Sequence, residues 1–284
     1  MSDELEELFN SKPNIAGSTK AQYTTHYKKI ISELDTQIRL ASPNAIIKAF
    51  EIIYNTASSK WAAISVPIII YQNNNLPTET LVSYRDLILQ QKEAHLKERN
   101  KNKNNTLPQF TELTKYLKSL MDIDEYRKYV LNFLLTYYGV RNEDVDVFIT
   151  GNKDDLKDET RNYLLVQPTQ IQWIRNIYKT FKTYGTKKIV IRNKDFVIAL
   201  NQLPHNEWLL TDPKGEHIIP SSVGRYIQDR TFNGLSEGDI FKVLVRDITQ
   251  KGKNVLSKLK QVSDWRGTDL KTIAEFYDLD LELE

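Results

Sequence analysis

The stretch Tyr129–Thr150, "YVLNFLLTYYGVRNEDVDVFIT", decides how this chain is read. Its first part is almost wholly apolar and reads as a helix. Gly139 closes that helix, because glycine takes the left-handed conformation that ends helices at no steric cost. The run "VDVFIT" that follows is rich in β-branched and aromatic residues and reads as a strand. One short segment therefore passes from helix to strand, with Arg141 and Glu143 at the junction.

Downstream, "NYLLVQ" (162–167), "IQWIRNIY" (171–178) and "KKIVIR" (187–192) read as further strands, with "QPT" (167–169) as a hairpin turn. Helical patterns return at 194–203, 221–232, 238–250 and 254–265, and one more precedes the opening stretch at 109–121. Helices, a small antiparallel sheet, then helices again make an α+β domain, so the chain as a whole is mainly α.

Upstream the pattern is helical throughout. A helix starting at Ser18 or Thr19 places Tyr23, Tyr27, Ile30, Ile31 and Leu34 on one stripe. Ser42-Pro43 is a cap followed by proline at the first helical position. A third helix covers 58–74, where Pro67 bends it or marks its first turn, and a fourth follows Pro77. The acidic start, residues 1–17, reads as a flexible tail. The stretch "KERNKNKNNTLP" (97–108) has no apolar residue before Leu107 and reads as an exposed basic linker. The expected organisation is a tail (1–17), a helical domain (18–97), a linker (98–107) and an α+β domain (108–284).

A chain of 284 residues fits two such domains, and 40 % hydrophobic residues suffice for two cores. There is no cysteine, which excludes disulfides, thiolate metal sites and cysteine nucleophiles. The four histidines lie far apart without metal-binding spacing, so no metal is expected. The longest apolar run, "WAAISVPIII" (61–70), is too short to span a bilayer, and the acidic start is no signal peptide. A soluble intracellular protein without a membrane partner is the expectation.

The formal net charge is only +2, yet the charges are segregated. Residues 175–188 hold Arg175, Lys179, Lys182, Lys187 and Lys188 with no acid, and residues 251–260 hold four lysines with no acid. Acids gather at residues 1–10 and in the last ten. Such basic islands suit a polyanion, nucleic acid above all, although solvated lysine faces give the same pattern. Nucleotide-binding glycine loops, phosphate-binding loops and GxSxG elbows are missing, and the pair Asp154-Asp155 sits in a polar loop.

Three segments of the second domain, taken in order, resemble the catalytic domain of the tyrosine recombinases, the integrase family of site-specific DNA recombinases. An apolar helix runs into Gly139-x-Arg141, then Glu143 and "VDVFI". A strand leads to Lys179-Thr180, a turn, and the basic strand "KKIVI". The family's Gly-His pair, with tyrosine nine residues on, is matched by Gly267-Thr268 and Tyr277 (277 − 268 = 9). The helical first domain is similar to the family's core-binding domain, so the likeness runs from about Ser18 onward. The family's H-x-x-R box is degenerate: the best alignment puts Gly238 and Phe241 where histidine and arginine stand, and Thr268 replaces the later histidine.

This resemblance implies a site-specific recombinase that breaks and rejoins double-stranded DNA through a 3′-phosphotyrosine, as a dimer or tetramer, without cofactor. Tyr277 would be the nucleophile, Arg141 would grip the phosphate, and Lys179 would protonate the leaving oxygen. Lys242, Arg246, Trp265 and Thr268 are the further candidates for the degenerate positions. Lys97, Arg99, Lys101 and Lys103 in the linker, with Arg175, Lys182, Lys187 and Lys188, would contact DNA. A host nucleoid, nucleus or cytoplasm and a viral or mobile-element origin go with that reading. Taken alone, Tyr277 on an amphipathic helix is as readily a packing aromatic, and Arg141 after a helix-ending glycine is as readily a helix-terminal charge. A descendant that kept the fold for DNA binding or architecture and lost cleavage is the alternative.

Overall fold

A computed structural model describes residues 3–104, 106–252 and 254–277; the side chains of 99–104, 220 and 275–277 lie outside the description. The chain divides into two units, Met1–Asn105 and Thr106–Glu284.

The first unit is helical: α1 (Asp3–Ser11), α2 (Gly17–Leu34), α3 (Pro43–Ile53), α4 (Ala57–Asn73) and α5 (Glu79–Asn104). Two expectations are corrected. The acidic start is not a tail, because α1 buries Leu5 and Leu8 against the unit's core. Its Glu4 is only 1 % exposed. The Glu4 carboxylate accepts from the Tyr27 hydroxyl at 2.8 Å and from the N–H groups of Ile38 and Arg39 at 3.2 and 2.7 Å. Three donors offset the desolvation of one carboxylate, and that is why an acidic segment can lie inside. Nor is the Lys/Asn stretch a coil, since α5 continues to Asn104. No glycine or proline interrupts it, and Lys, Arg, Glu and Gln favour helix. Ser42 caps α3 as expected, its Oγ accepting from the Ala45 N–H at 3.2 Å. Pro67 lies buried within α4.

The second unit opens with α6 (Phe110–Asp122) and α7 (Tyr126–Tyr138). Gly139 ends α7 at φ +61°. A Cβ there would fall 2.6 Å from Phe241 Cδ2, so the glycine serves both the turn and the packing. A short 3₁₀ turn, Asn142–Val145, leads into β1 (Val147–Thr150), β2 (Asn162–Gln167) and β3 (Gln170–Arg175). Next come α8 (Phe181–Tyr184), β4 (Lys187–Ile191), α9 (Lys194–Asn201) and β5 (Glu207–Trp208). The unit continues through α10 (Val223–Gln228), α11 (Glu237–Gln250), α12 (Val255–Arg266) and α13 (Leu270–Tyr277).

The protein is thus mainly α with one small sheet, of strand order β4-β3-β2-β1-β5. The sheet is mixed: β1 and β2 pair parallel, from Val147 opposite Asn162 to Thr150 opposite Leu165, and the other pairs are antiparallel. The "QPT" hairpin joins β2 to β3, with Gln167 opposite Gln170. The core gathers α7 residues Val130, Leu131 and Leu134 with Trp173, Phe196 and Leu200. A second cluster, with Phe241, Leu244, Leu259 and Ile273, packs α11, α12 and α13 together. These two clusters set where the ends of α7, β3 and α12 meet. Among the described residues no helix is long and apolar enough to cross a membrane.

Candidate active site

Gly139 turns the chain sharply, and Arg141 leaves that turn pointing across the unit. Its guanidinium donates through Nη2 to Thr268 Oγ1 at 2.7 Å and through Nη1 to the Arg266 carbonyl. The contact to Thr268 closes a separation of 127 residues. The Arg141 backbone N–H is held by Asp144 Oδ2 at 2.7 Å. The other oxygen of Asp144 takes Arg175 Nη2 at 2.5 Å, in a pair with side chains 0 % and 1 % exposed. Arg175 also donates to the Trp265 carbonyl. Arg266 reaches back, donating to Gly139 O at 2.7 Å and pairing with Glu237 Oε1 at 2.9 Å over the Phe241 ring.

Three arginines therefore tie the last carbonyls of α12 and the Gly267-Thr268 turn to the ends of α7 and β3. Cations suit that place, since a helix C-terminus presents unpaired carbonyls and a partial negative charge. The three differ in one respect. Arg175 and Arg266 each meet a carboxylate. The described bonds of the Arg141 guanidinium go to a carbonyl and a hydroxyl, both neutral. Burial, and then the neighbouring Arg266, lower the pKa of Arg141, with Asp144, Glu237 and Glu143 acting the other way. An arginine so shifted still stays charged at neutral pH. Burial pushes the Asp144 carboxyl up, against the pull of Arg175.

The β3–β4 connection meets the same turn. Gly267 has φ +63°, and Thr180 Oγ1 donates to its carbonyl at 3.3 Å. The Ser263 hydroxyl donates to the Thr268 carbonyl. Asp269 then starts α13, accepting from the Thr272 N–H at 2.7 Å and the Thr272 hydroxyl at 2.8 Å; these bonds lower its pKa. Tyr277 closes α13, and its side chain lies outside the described residues. A cleft of about 470 Å³ runs along the turn, with Tyr184, Lys187, Lys260, Asp264, Thr268 and Leu270 among its walls. Lys187 donates to the Asp264 carbonyl, and burial followed by Arg175 lowers its ammonium pKa.

Of the residues expected at the site, Arg141 and Thr268 are in contact. Trp265 contributes its carbonyl, while its ring packs on Tyr138 at 4.6 Å between centroids. Lys179 is exposed on the link between β3 and α8. Lys242 is buried on α11, and Arg246 donates to the carbonyls of Leu107 and Pro108, fixing the entry to α6. Lys182 and Lys188 are exposed, Lys187 is half-buried, and Lys97 is exposed on α5. The side chains of Arg99, Lys101 and Lys103 lie outside the described residues. Arg175 is corrected: buried and paired to Asp144, it cannot reach a polyanion, and its role is to hold the turn. Asp144 and Glu237 carry no signal in the sequence, and the structure adds them to the site as the carboxylate partners of Arg175 and Arg266. Among the described residues no group of acids and histidines could hold a metal ion.

No family model matches the chain, and no curated protein matches it in sequence. Solved structures that align with it include the XerA recombinase, at 13 % identity and TM-score 0.37, over 97 % of this chain and 93 % of that one. The integrase from mycobacterium phage Brujita aligns at 11 % identity and TM-score 0.37, over 97 % of this chain and 88 % of that one.

Proposed function

We propose that this chain is a DNA-binding protein of the tyrosine-recombinase type whose second unit transfers a DNA strand to Tyr277. One observation carries the reading. Arg141 spans to the turn that precedes the Tyr277 helix, and its guanidinium meets neutral oxygens there rather than a carboxylate. A guanidinium has five N–H donors, so two protein bonds leave others for an anion. A cation held rigidly and short of direct charge compensation is what a phosphodiester needs as charge builds on its non-bridging oxygens. The exposed Lys179, Lys182 and Lys188 beside the turn supply the general attraction for a duplex.

In this reading the Tyr277 oxygen attacks phosphorus, and the bond to the 5′ oxygen breaks. A 3′-phosphotyrosine results; the phenol gives up its proton to solvent as it attacks, and the leaving oxygen takes one from a lysine ammonium. Attack by a second 5′ hydroxyl reverses the step and releases tyrosine. The family resemblance gives Lys179 the proton-donor role. Lys187 competes for it, because it lines the cleft at Thr268 and its environment makes the ammonium more acidic. Assembly as a dimer or tetramer on double-stranded DNA belongs to the same proposal.

A library of nicked duplexes tests it. The wild type is expected to form a denaturant-resistant covalent adduct, and Tyr277→Phe none. Lys179→Ala and Lys187→Ala should separate the proton donor, which slows adduct formation at unchanged affinity, from a backbone contact, which weakens binding. A wild type that binds duplex but forms no adduct would establish the second reading: a recombinase-like fold kept for DNA binding alone. That reading has its own support, since Phe241 packs beneath Gly139 and Arg266 where the resemblance would place the second arginine.

A further inference from the structure

The cleft beside Thr268 has a chemistry that phosphate gripping does not use. One wall is the β3–β4 connection, which leaves Ile177, Phe181 and Tyr184 exposed by 48, 37 and 53 %. Single exposed aromatics are ordinary, but here they alternate with Lys179, Lys182 and Lys187 in a stretch without an acid. Tyr184 lines the cleft itself, with Lys187 Nζ 4.8 Å from its ring centre. The opposite wall, from α12 and the start of α13, brings Leu256, Lys260, Asp264 and Leu270. An aromatic ring, aliphatic side chains, two ammonium groups and two carboxylates, Asp264 and Asp269, thus surround about 470 Å³, within the range of small-ligand sites; Asp269 is engaged by its own helix, accepting from the Thr272 N–H and hydroxyl.

We propose that this cleft receives one unpaired nucleobase of the DNA, next to the phosphate at Arg141. The inference rests on the function proposed above and adds the form of its substrate: duplex with a base out of the stack. Tyr184 would stack on the base, as aromatic side chains do in single-strand sites, and Leu256 and Leu270 would cover its other face. Lys187 and Lys260 would meet the flanking phosphates. Asp264, whose side chain is exposed on the cleft wall, would accept from an exocyclic amine, which adenine, cytosine and guanine carry and thymine lacks. A base already unpaired spares the unstacking cost, so such DNA is favoured over perfect duplex.

The experiment measures affinity by fluorescence anisotropy at fixed salt for four duplexes: fully paired, with one unpaired adenine, with one unpaired thymine, and with one unpaired abasic residue. The full chain is used as wild type, Tyr184→Ala and Tyr184→Phe, with unchanged thermal melts as the check on folding. The wild type is expected to bind the adenine duplex about five- to a hundredfold tighter than the paired and abasic ones, with thymine in between. Tyr184→Ala should erase that preference while binding paired duplex as before, and Tyr184→Phe should restore it. Equal affinity for adenine and abasic duplexes, or a preference that survives Tyr184→Ala, would overturn the assignment. The two proposals fail separately. Adduct formation at Tyr277 without any base preference removes only the base-receiving cleft, whereas a wild type that binds no DNA removes both.

Discussion

Gly267→Ala probes the turn on which the site depends. The residue sits at φ +63°, where a side chain costs about 1–2 kcal/mol of backbone strain. The added methyl would also fall 2.2 Å from Thr180 Oγ1, far inside contact distance. Thr180 can rotate its hydroxyl away only by giving up the bond to the Gly267 carbonyl; otherwise the backbone must shift, an overpacking cost of about 1–3 kcal/mol. The single variant should therefore lose about 2–5 kcal/mol of the second unit's stability. Adding Thr180→Ala removes the colliding oxygen and leaves Cβ, which lies at an ordinary 3.5 Å. The double variant should recover the overpacking share and keep the strain, a coupling of about 1–3 kcal/mol. Urea unfolding followed by Trp173, Trp208 and Trp265 fluorescence, in a Trp61→Phe background, isolates this unit. A Gly267→Ala variant within about 0.5 kcal/mol of its parent, the range of a neutral surface change, would refute the turn and its contact with Thr180.

Other expectations test other parts. Arg175→Met leaves the buried Asp144 without its partner and should cost about 3–5 kcal/mol in the same urea assay, whereas loss of DNA affinity at unchanged stability would mean that Arg175 is a DNA contact after all. His26, hydrogen-bonded to the Tyr54 hydroxyl at 3.0 Å, has its pKa lowered by burial and by Lys29. The unfolded chain then takes the proton first as pH falls, so stability of the first unit is constant above the ordinary value of 6.5 and declines below it. His26→Gln should flatten that decline in denaturant titrations followed at Trp61. Leu8→Ala, at a site with 0 % exposure, should destabilise the first unit by about 2–5 kcal/mol; a neutral result would return α1 to the status of a tail.

What the sequence disclosed was local. Ser42-Pro43 and Gly139 mark helix ends because caps and left-handed turns act over three or four residues. The "QPT" hairpin is legible for the same reason. What it concealed was long-range satisfaction of polar groups. Glu4 reads as solvent-facing until the donors to its carboxylate, 23 to 35 residues away, are known. The parallel pairing of β1 with β2 leaves no period of its own, and β5 has two residues, too few for any pattern. Arg175 and Lys182 belong to one basic island, yet one is buried and the other exposed. The difference lies in Asp144, which turns towards Arg175, and composition cannot show that.

The same limit governs the site. The family resemblance singled out Arg141 and Thr268, but it could not say what surrounds the arginine. The structure answers through distribution of carboxylates: Asp144 takes Arg175, Glu237 takes Arg266, and the described contacts of the Arg141 guanidinium are with neutral oxygens. Had Asp144 accepted from that guanidinium instead of from the Arg141 backbone N–H, the cation would be compensated and its attraction for a phosphate largely cancelled. Two buried or half-buried ion pairs thus hold the frame, and the remaining positive charge stands at the turn leading to Tyr277. Neutralising it should separate the two roles. Arg141→Lys keeps the charge but loses the paired reach to Thr268 and the Arg266 carbonyl, so it should damage geometry more than attraction. Arg141→Gln also loses the charge, its single amide nitrogen standing short of the two oxygens, so the response to an anion should vanish while the damage to the turn, read by urea unfolding, matches that of the lysine variant.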